Sequence, residues 1–158
     1  MKHSFLMVVA FMTMMVCSAS SCDKNDHNSN TNNTPENTTP MANGKIKLKV
    51  ASQTFTATLL DNNSAKVFKE MLPLTINMVE LNNNEKYYDL PNSLPTNSSN
   101  PGTIKNGDLM LYGSKTLVLF YKTFSTSYSY TKLGAVDDIT GLIAALGSGN
   151  VTVTFETE

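Results

Sequence analysis

The sequence predicts a mainly β domain: a closed barrel of about eight short strands with two short α-helices, set behind an export segment. Three observations predict it. From Gly44 to Glu158, apolar and polar residues alternate in short runs separated by turn residues. Two stretches switch to a helical period, and both are too short to form a layer of their own. About 115 residues remain after the N-terminal segments, enough for one domain with a single core.

The first element is not part of the barrel. Lys2 and His3 precede an apolar run, Phe5 to Val16, and small residues follow from Cys17 to Ser21. A run this short does not span a bilayer as a stable helix, so residues 1–21 read as a signal peptide. Cys22 directly follows Ala19-Ser20-Ser21. This arrangement resembles the lipobox of bacterial lipoproteins, with Ala19 where Leu is commoner. The resemblance implies lipidation of Cys22, with the membrane as a partner through that anchor. The implied location is the bacterial cell envelope, at the outer membrane. Residues 22–43 are rich in Asn, Thr and Pro and nearly lack apolar side chains. They read as a flexible tether reaching about 25 Å.

The domain, residues 44–158, opens with KIKLKV, in which Ile46, Leu48 and Val50 share a face opposite three lysines. TFTATL repeats the pattern through Phe55, Ala57 and Leu59, and the intervening Ala51-Ser52-Gln53 suits a hairpin. A helix is expected over Ser64 to Leu72, burying Ala65 and Phe68, capped by Asn63 or Ser64 and stopped by Pro73. Strands are expected over Leu74–Met78 and Lys86–Leu90. Pro91–Asn106 holds three prolines and reads as a long loop, a candidate cover for a binding groove. Leu109–Tyr112 and Thr116–Tyr121 form a hairpin through Gly113-Ser114-Lys115. Thr123–Thr131 reads as loop or strand. Asp137 or Asp138 is expected to start a second helix through Leu146, closed by Gly147, and VTVTF is the last strand.

The segment GDLMLYGSKTLVLFYKTFSTSYSYTKLGAVDDITGLIAAL, with KIKLKVASQTFTATLLDNNSAKVFKEMLPLTINM before it, resembles the small bacterial cyclophilin-like family. MLPLTI and LPNSLPTNSSNPG match segments that recur in that family. The resemblance covers nearly all of residues 44–158 and implies a cyclophilin-like closed eight-stranded β-barrel with two short α-helices. Prolyl isomerases of the cyclophilin type hold a proline ring in an apolar pocket while an Arg donates to the amide, with a His and often a Trp beside it. Residues 44–158 contain no Arg, His, Trp or Cys.

That composition also removes imidazole-dependent nucleophiles and Cys/His zinc sites. With Lys2 and Lys24 set aside, ten lysines balance ten carboxylates in the domain, and no basic aromatic patch suggests nucleic acid. No cofactor or metal is expected, and His27 reads as a tether residue.

The candidate ligand-binding residues are Tyr112, Phe120, Ser127, Tyr128 and Tyr130, an alternating set of rings and hydroxyls suited to a pocket mouth. The ligand class is a peptide, a small molecule or an envelope protein. A divergent isomerase, or another weak enzyme on the same barrel, is the alternative. Tyr87 and Tyr88 face opposite sides of their strand. The flanking Glu85 and Asp89 read as a solvated edge rather than an acid/base pair. Ser64 and Ser93 lack a base, and the sequon-like Asn62-Asn63-Ser64 and Asn97-Ser98-Ser99 read as turn chemistry.

Overall fold

The computed structural model describes residues 40–158, with side chains from Gly44 onward. The expected signal peptide, Cys22 and most of the expected tether lie outside the described residues. Eight strands close a wholly antiparallel barrel. They are β1 (Pro40–Val50), β2 (Gln53–Leu60), β3 (Leu74–Leu81), β4 (Glu85–Asp89), β6 (Asp108–Tyr112), β7 (Thr116–Phe120), β9 (Thr131–Val136) and β10 (Val151–Thr157). Around the barrel the order is β1-β10-β3-β4-β7-β6-β9-β2, and β2 closes back onto β1. A separate two-stranded piece, β5 (Thr103–Ile104) with β8 (Phe124–Ser125), completes the count.

Alternation places one row from each strand inside. Ile46, Leu48 and Val50 meet Ala57, Leu59, Leu109, Leu111, Leu117 and Leu119 in one interior cluster. The lysines of β1 face outward, and Lys49 reaches Glu156 across the pair at 2.8 Å. Helix α1 (Asn63–Glu70) buries Ala65 and Phe68 in the same core, and the Phe68 ring meets Phe155 edge-on at 5.6 Å. Helix α2 (Leu142–Leu146) adds Leu142 and Leu146. Fully burying each such side chain stabilises the fold by about 1.5–3 kcal/mol before the entropy of ordering is counted.

Several boundaries differ from the expected ones, each for a local reason. β1 begins at Pro40, inside the expected tether, because its backbone pairs with Leu60 of β2 and needs no apolar side chain to do so. The cap of α1 is Asn62, whose side-chain oxygen accepts from the Ala65 N–H at 2.9 Å, so the helix starts one turn position earlier. Asp137 and Asp138 do not start α2. Asp137 instead accepts from Thr58 Oγ1 at 2.6 Å, and Asp138 accepts from the Thr140 N–H in a local turn. Gly141 precedes α2, and Gly147 ends it as expected. Residues 131–136, TKLGAV, are a barrel strand that weak alternation concealed. Gly134 there is a steric necessity, since a Cβ would meet the Thr58 carbonyl oxygen at 2.4 Å.

Candidate functional site

Strand β4 positions the site, because its two faces do different things. Lys86 and Tyr88 point toward the barrel interior, whereas Glu85, Tyr87 and Asp89 point outward. Register carries this outer row onto β7 and β6. Tyr87 stands opposite Val118, which stands opposite Met110, and Asp89 stands opposite Thr116, which stands opposite Tyr112.

A second apolar cluster grows on this outer surface. Ile104, Met110, Val118, Phe120 and Tyr130 are buried there, with Tyr87 and Phe124 packed against them. The chain after β7 supplies the cover. β8 pairs with β5, and the Thr126 N–H donates to the Gly102 carbonyl at 3.0 Å. Ser99 and Tyr130 exchange a backbone pair at 3.0 Å in each direction. These bonds hold residues 124–130 over the barrel wall.

Between that segment and the outer face of β4 and β7 lies an open groove of about 540 Å³, within the usual size of small-ligand sites. One wall carries Glu85, Tyr87, Asp89, Thr116 and Val118. The other carries Phe124, Ser125, Thr126, Ser127 and Tyr128, with Tyr112 and Tyr130 joining the two. Tyr112 and Tyr128 stand perpendicular with centroids 6.1 Å apart, and Tyr112 meets Tyr130 at 5.5 Å. The Asn84 side-chain oxygen is buried in this wall without a hydrogen-bond partner among the described residues.

Four of the five residues singled out from the sequence, Tyr112, Ser127, Tyr128 and Tyr130, line this one groove. Tyr112 is 47% exposed and Tyr128 61%, whereas Tyr130 keeps only 9%. Phe120 is a correction. It is fully buried beneath Phe124 and Tyr130, at 5.7 and 5.5 Å between centroids, and supports the groove without lining it. The Pro91–Asn106 loop is another, because none of its residues lines the groove. Instead Asn97, Ser99, Pro101, Thr103 and Lys105 line a second cavity of about 590 Å³ on the far side of Tyr130. The charges there are largely spent internally, since Lys132 donates to Asp108 at 2.6 Å.

Sequence reasoning passed over Glu85 as a solvated edge. It is half-buried, and burial pushes its carboxyl above the ordinary range, aided by the charge of Glu80. Burial likewise raises the Tyr130 phenol, helped by the charge of Glu85, so the two residues share one electrostatic environment. The period-two spacing of Glu85, Tyr87 and Asp89 was the available signal.

The inner face of β4 carries a closed polar cluster. Lys86 is fully buried; its ammonium donates to Glu80 Oε2 and to the carbonyls of Gly147 at 3.0 Å and Gly149 at 2.7 Å. It also lies 5.2 Å from the centre of the Tyr121 ring, and the Tyr121 hydroxyl donates to Glu80 Oε1 at 2.7 Å. Burial and then Glu80 push the Tyr121 phenol up to about 12. Burial pushes the Glu80 carboxyl up, but the bonds from Lys86 and Tyr121, with the Lys86 charge and the Asn83 N–H, outweigh it and hold it below its ordinary value. This cluster ties the β3–β4 end of the barrel to the turn before β10.

Among the described residues, no group of three or more His, Cys, Asp or Glu side chains could hold a metal ion. No helix there is long and apolar enough to cross a membrane. No lysine lines the groove, and the chain contains no Arg. Its chemistry is therefore that of rings, hydroxyls, amides and carboxylates.

The sequence model of the cyclophilin-like family matches residues 48–156, from the last three residues of β1 through all but the last residue of β10. No curated protein and no solved structure matches the chain. The closed antiparallel barrel of eight strands and two short helices agrees with that match, and the chain belongs to the cyclophilin-like family.

Proposed function

We propose that this is a non-catalytic binding module, held at the bacterial cell envelope by a lipid on Cys22. It takes a peptide segment or a small molecule in the groove between β4–β7 and residues 124–130. The observation that carries the reading is the groove itself. An opening of about 540 Å³ leaves Tyr112 47% and Tyr128 61% exposed on an otherwise well-packed wall. Exposed tyrosine rings supply large contact area at low entropic cost, and the hydroxyls of Thr116, Ser125 and Ser127 add orienting hydrogen bonds.

Two facts favour binding over isomerisation. Lowering the barrier to Xaa-Pro rotation, about 20 kcal/mol, calls for a strong donor to the amide, and no cationic donor lines the groove. Lys86, the one lysine buried among the described residues, faces the other side of the sheet with its three protons engaged.

NMR exchange spectroscopy on a labelled Xaa-Pro peptide, with and without the full chain, tests this. Shifted peptide resonances without faster cis–trans exchange are expected. Faster exchange would make the domain an isomerase and overturn the reading. Metabolic labelling with a radioactive fatty acid tests the anchor: label is expected on the wild type and absent from Cys22→Ala. Equal labelling of both would remove Cys22 as the lipid site.

A further inference from the structure

Glu85 differs from every other sheltered carboxylate among the described residues. Glu80 is paired with Lys86, Asp108 with Lys132 at 2.6 Å, and Glu156 with Lys49 at 2.8 Å. Glu85 is half-buried in the groove wall and has neither a hydrogen bond nor a cation. An ionised carboxylate in a partly desolvated wall is unfavourable until a counter-charge arrives. The protein supplies none there, because no lysine lines the groove and the chain has no Arg.

Two further features have the same sign. Asp89 lies four residues along the same face of β4 and is engaged only by the Thr116 hydroxyl at 2.7 Å, which leaves acceptor capacity. Tyr112, Tyr128 and Tyr130 present rings at different inclinations beside these carboxylates. Ring faces carry negative potential and attract ammonium and guanidinium groups. Carboxylates and rings thus converge on one open cavity that has no positive charge of its own.

We propose that the groove selects an extended peptide bearing Lys or Arg, with Glu85 and Asp89 as counter-ions along one wall and the three tyrosines lining the groove beside them. This rests on the reading of the groove as a binding site and narrows its ligand. The spacing favours a peptide over a free amine. Glu85 and Asp89 are separated by about 13 Å along an extended strand, the distance between side chains i and i+4 of an extended ligand. A segment with basic residues four apart can meet both carboxylates while its intervening side chains lie along Tyr87 and Val118.

The test is an NMR titration of the isotope-labelled full chain with capped five-residue peptides. Their first and last residues are both Lys, Lys and norleucine, both norleucine, or both Glu, with alanines between. The doubly basic peptide is expected to bind about tenfold more tightly than its norleucine counterpart, a preference that shrinks as salt rises from 20 to 500 mM. Its resonance shifts are expected at Glu85, Asp89 and Ser125–Tyr130. Glu85→Gln is expected to reduce that preference to about twofold or less. The salt series on the wild type decides the matter should that variant fail to fold.

Equal binding of the norleucine and lysine peptides in the groove would overturn the cation preference while leaving a binding module standing. n-Butylammonium binding as tightly as the doubly basic peptide would overturn the peptide as occupant. No shift with any of the four peptides at millimolar concentration would overturn this proposal and remove the groove as a peptide site.

Discussion

The two faces of β4 solve the same electrostatic problem in opposite ways. On the inner face, Lys86 is buried with a carboxylate, two carbonyls and a ring around its ammonium. On the outer face one residue away, Glu85 is half-buried with no hydrogen bond or cation among the described residues. Burying a charge is tolerable only when its hydrogen-bonding capacity is met. The inner cluster meets it within the fold and so reads as a structural tie. The outer carboxylate leaves it unmet in an open groove, and the proposed ligand would meet it. Polarity alone is thus a poor guide to function in this barrel; satisfaction of polar groups separates the two faces.

The largest expected effect breaks the inner side. Lys86→Ala leaves two carbonyls without their donor and Glu80 without its cation, and is expected to cost about 4 kcal/mol, read from chemical denaturation. A loss below about 1 kcal/mol would show that the cluster is not a tie. Next comes Phe120→Ala, which empties the layer beneath the groove, at about 3 kcal/mol. It should perturb the groove as well, since Phe124 and Tyr130 rest on that ring. Resonances of Ser125–Tyr130 that stay in place would show that the cover does not depend on Phe120.

Acid sharpens the contrast, because the two glutamates titrate with opposite signs. Glu80 has a folded-state value below its unfolded 4.5, so its contribution is complete above 4.5 and is lost as pH falls through the lower folded value. Glu85 has a folded-state value above 4.5, so it favours folding in the protonated form and loses that advantage as pH rises from 4.5 through the folded value. Glu85→Gln is therefore expected to raise the thermal midpoint at pH 7 and not at pH 4, whereas Glu80→Gln is expected to lower it at pH 7 far more than at pH 3. Matching pH profiles for the two variants would dissolve the distinction. The smallest stability effect belongs to Tyr128→Ala, within about 0.5 kcal/mol because the ring is already 61% exposed, and the same change is expected to weaken peptide binding severalfold.

Legibility followed range. β1, β2 and the β6–β7 hairpin were readable because apolar residues alternate in strands joined by tight turns, so the information is local. β9 was not, because TKLGAV has little alternation and owes its strand state to partners 57–59 and 108–111 far away in sequence. The tyrosines of the groove were chosen for their chemistry, and four of the five named residues do share one surface. Phe120 could not be told from a lining residue, because its burial depends on Phe124 and Tyr130 folding back over it. Glu85 was visible only as a charged residue on a strand.

The sequence by itself determined that the domain is a mainly β barrel with two short helices, since alternation at period two requires one buried face and the chain is too short for two cores. It also determined that no imidazole, thiol or guanidinium acts within residues 44–158. Only the tertiary structure decided which carboxylate would be paired and which left bare. EKYYD puts charged residues on both faces of β4. Closure of the barrel turned Lys86 inward onto Glu80 and the turn before β10, while residues 124–130 folded across the outer face and sheltered Glu85 without giving it a cation. Pairing of charges is a property of contacts between distant segments, and no local pattern encodes it.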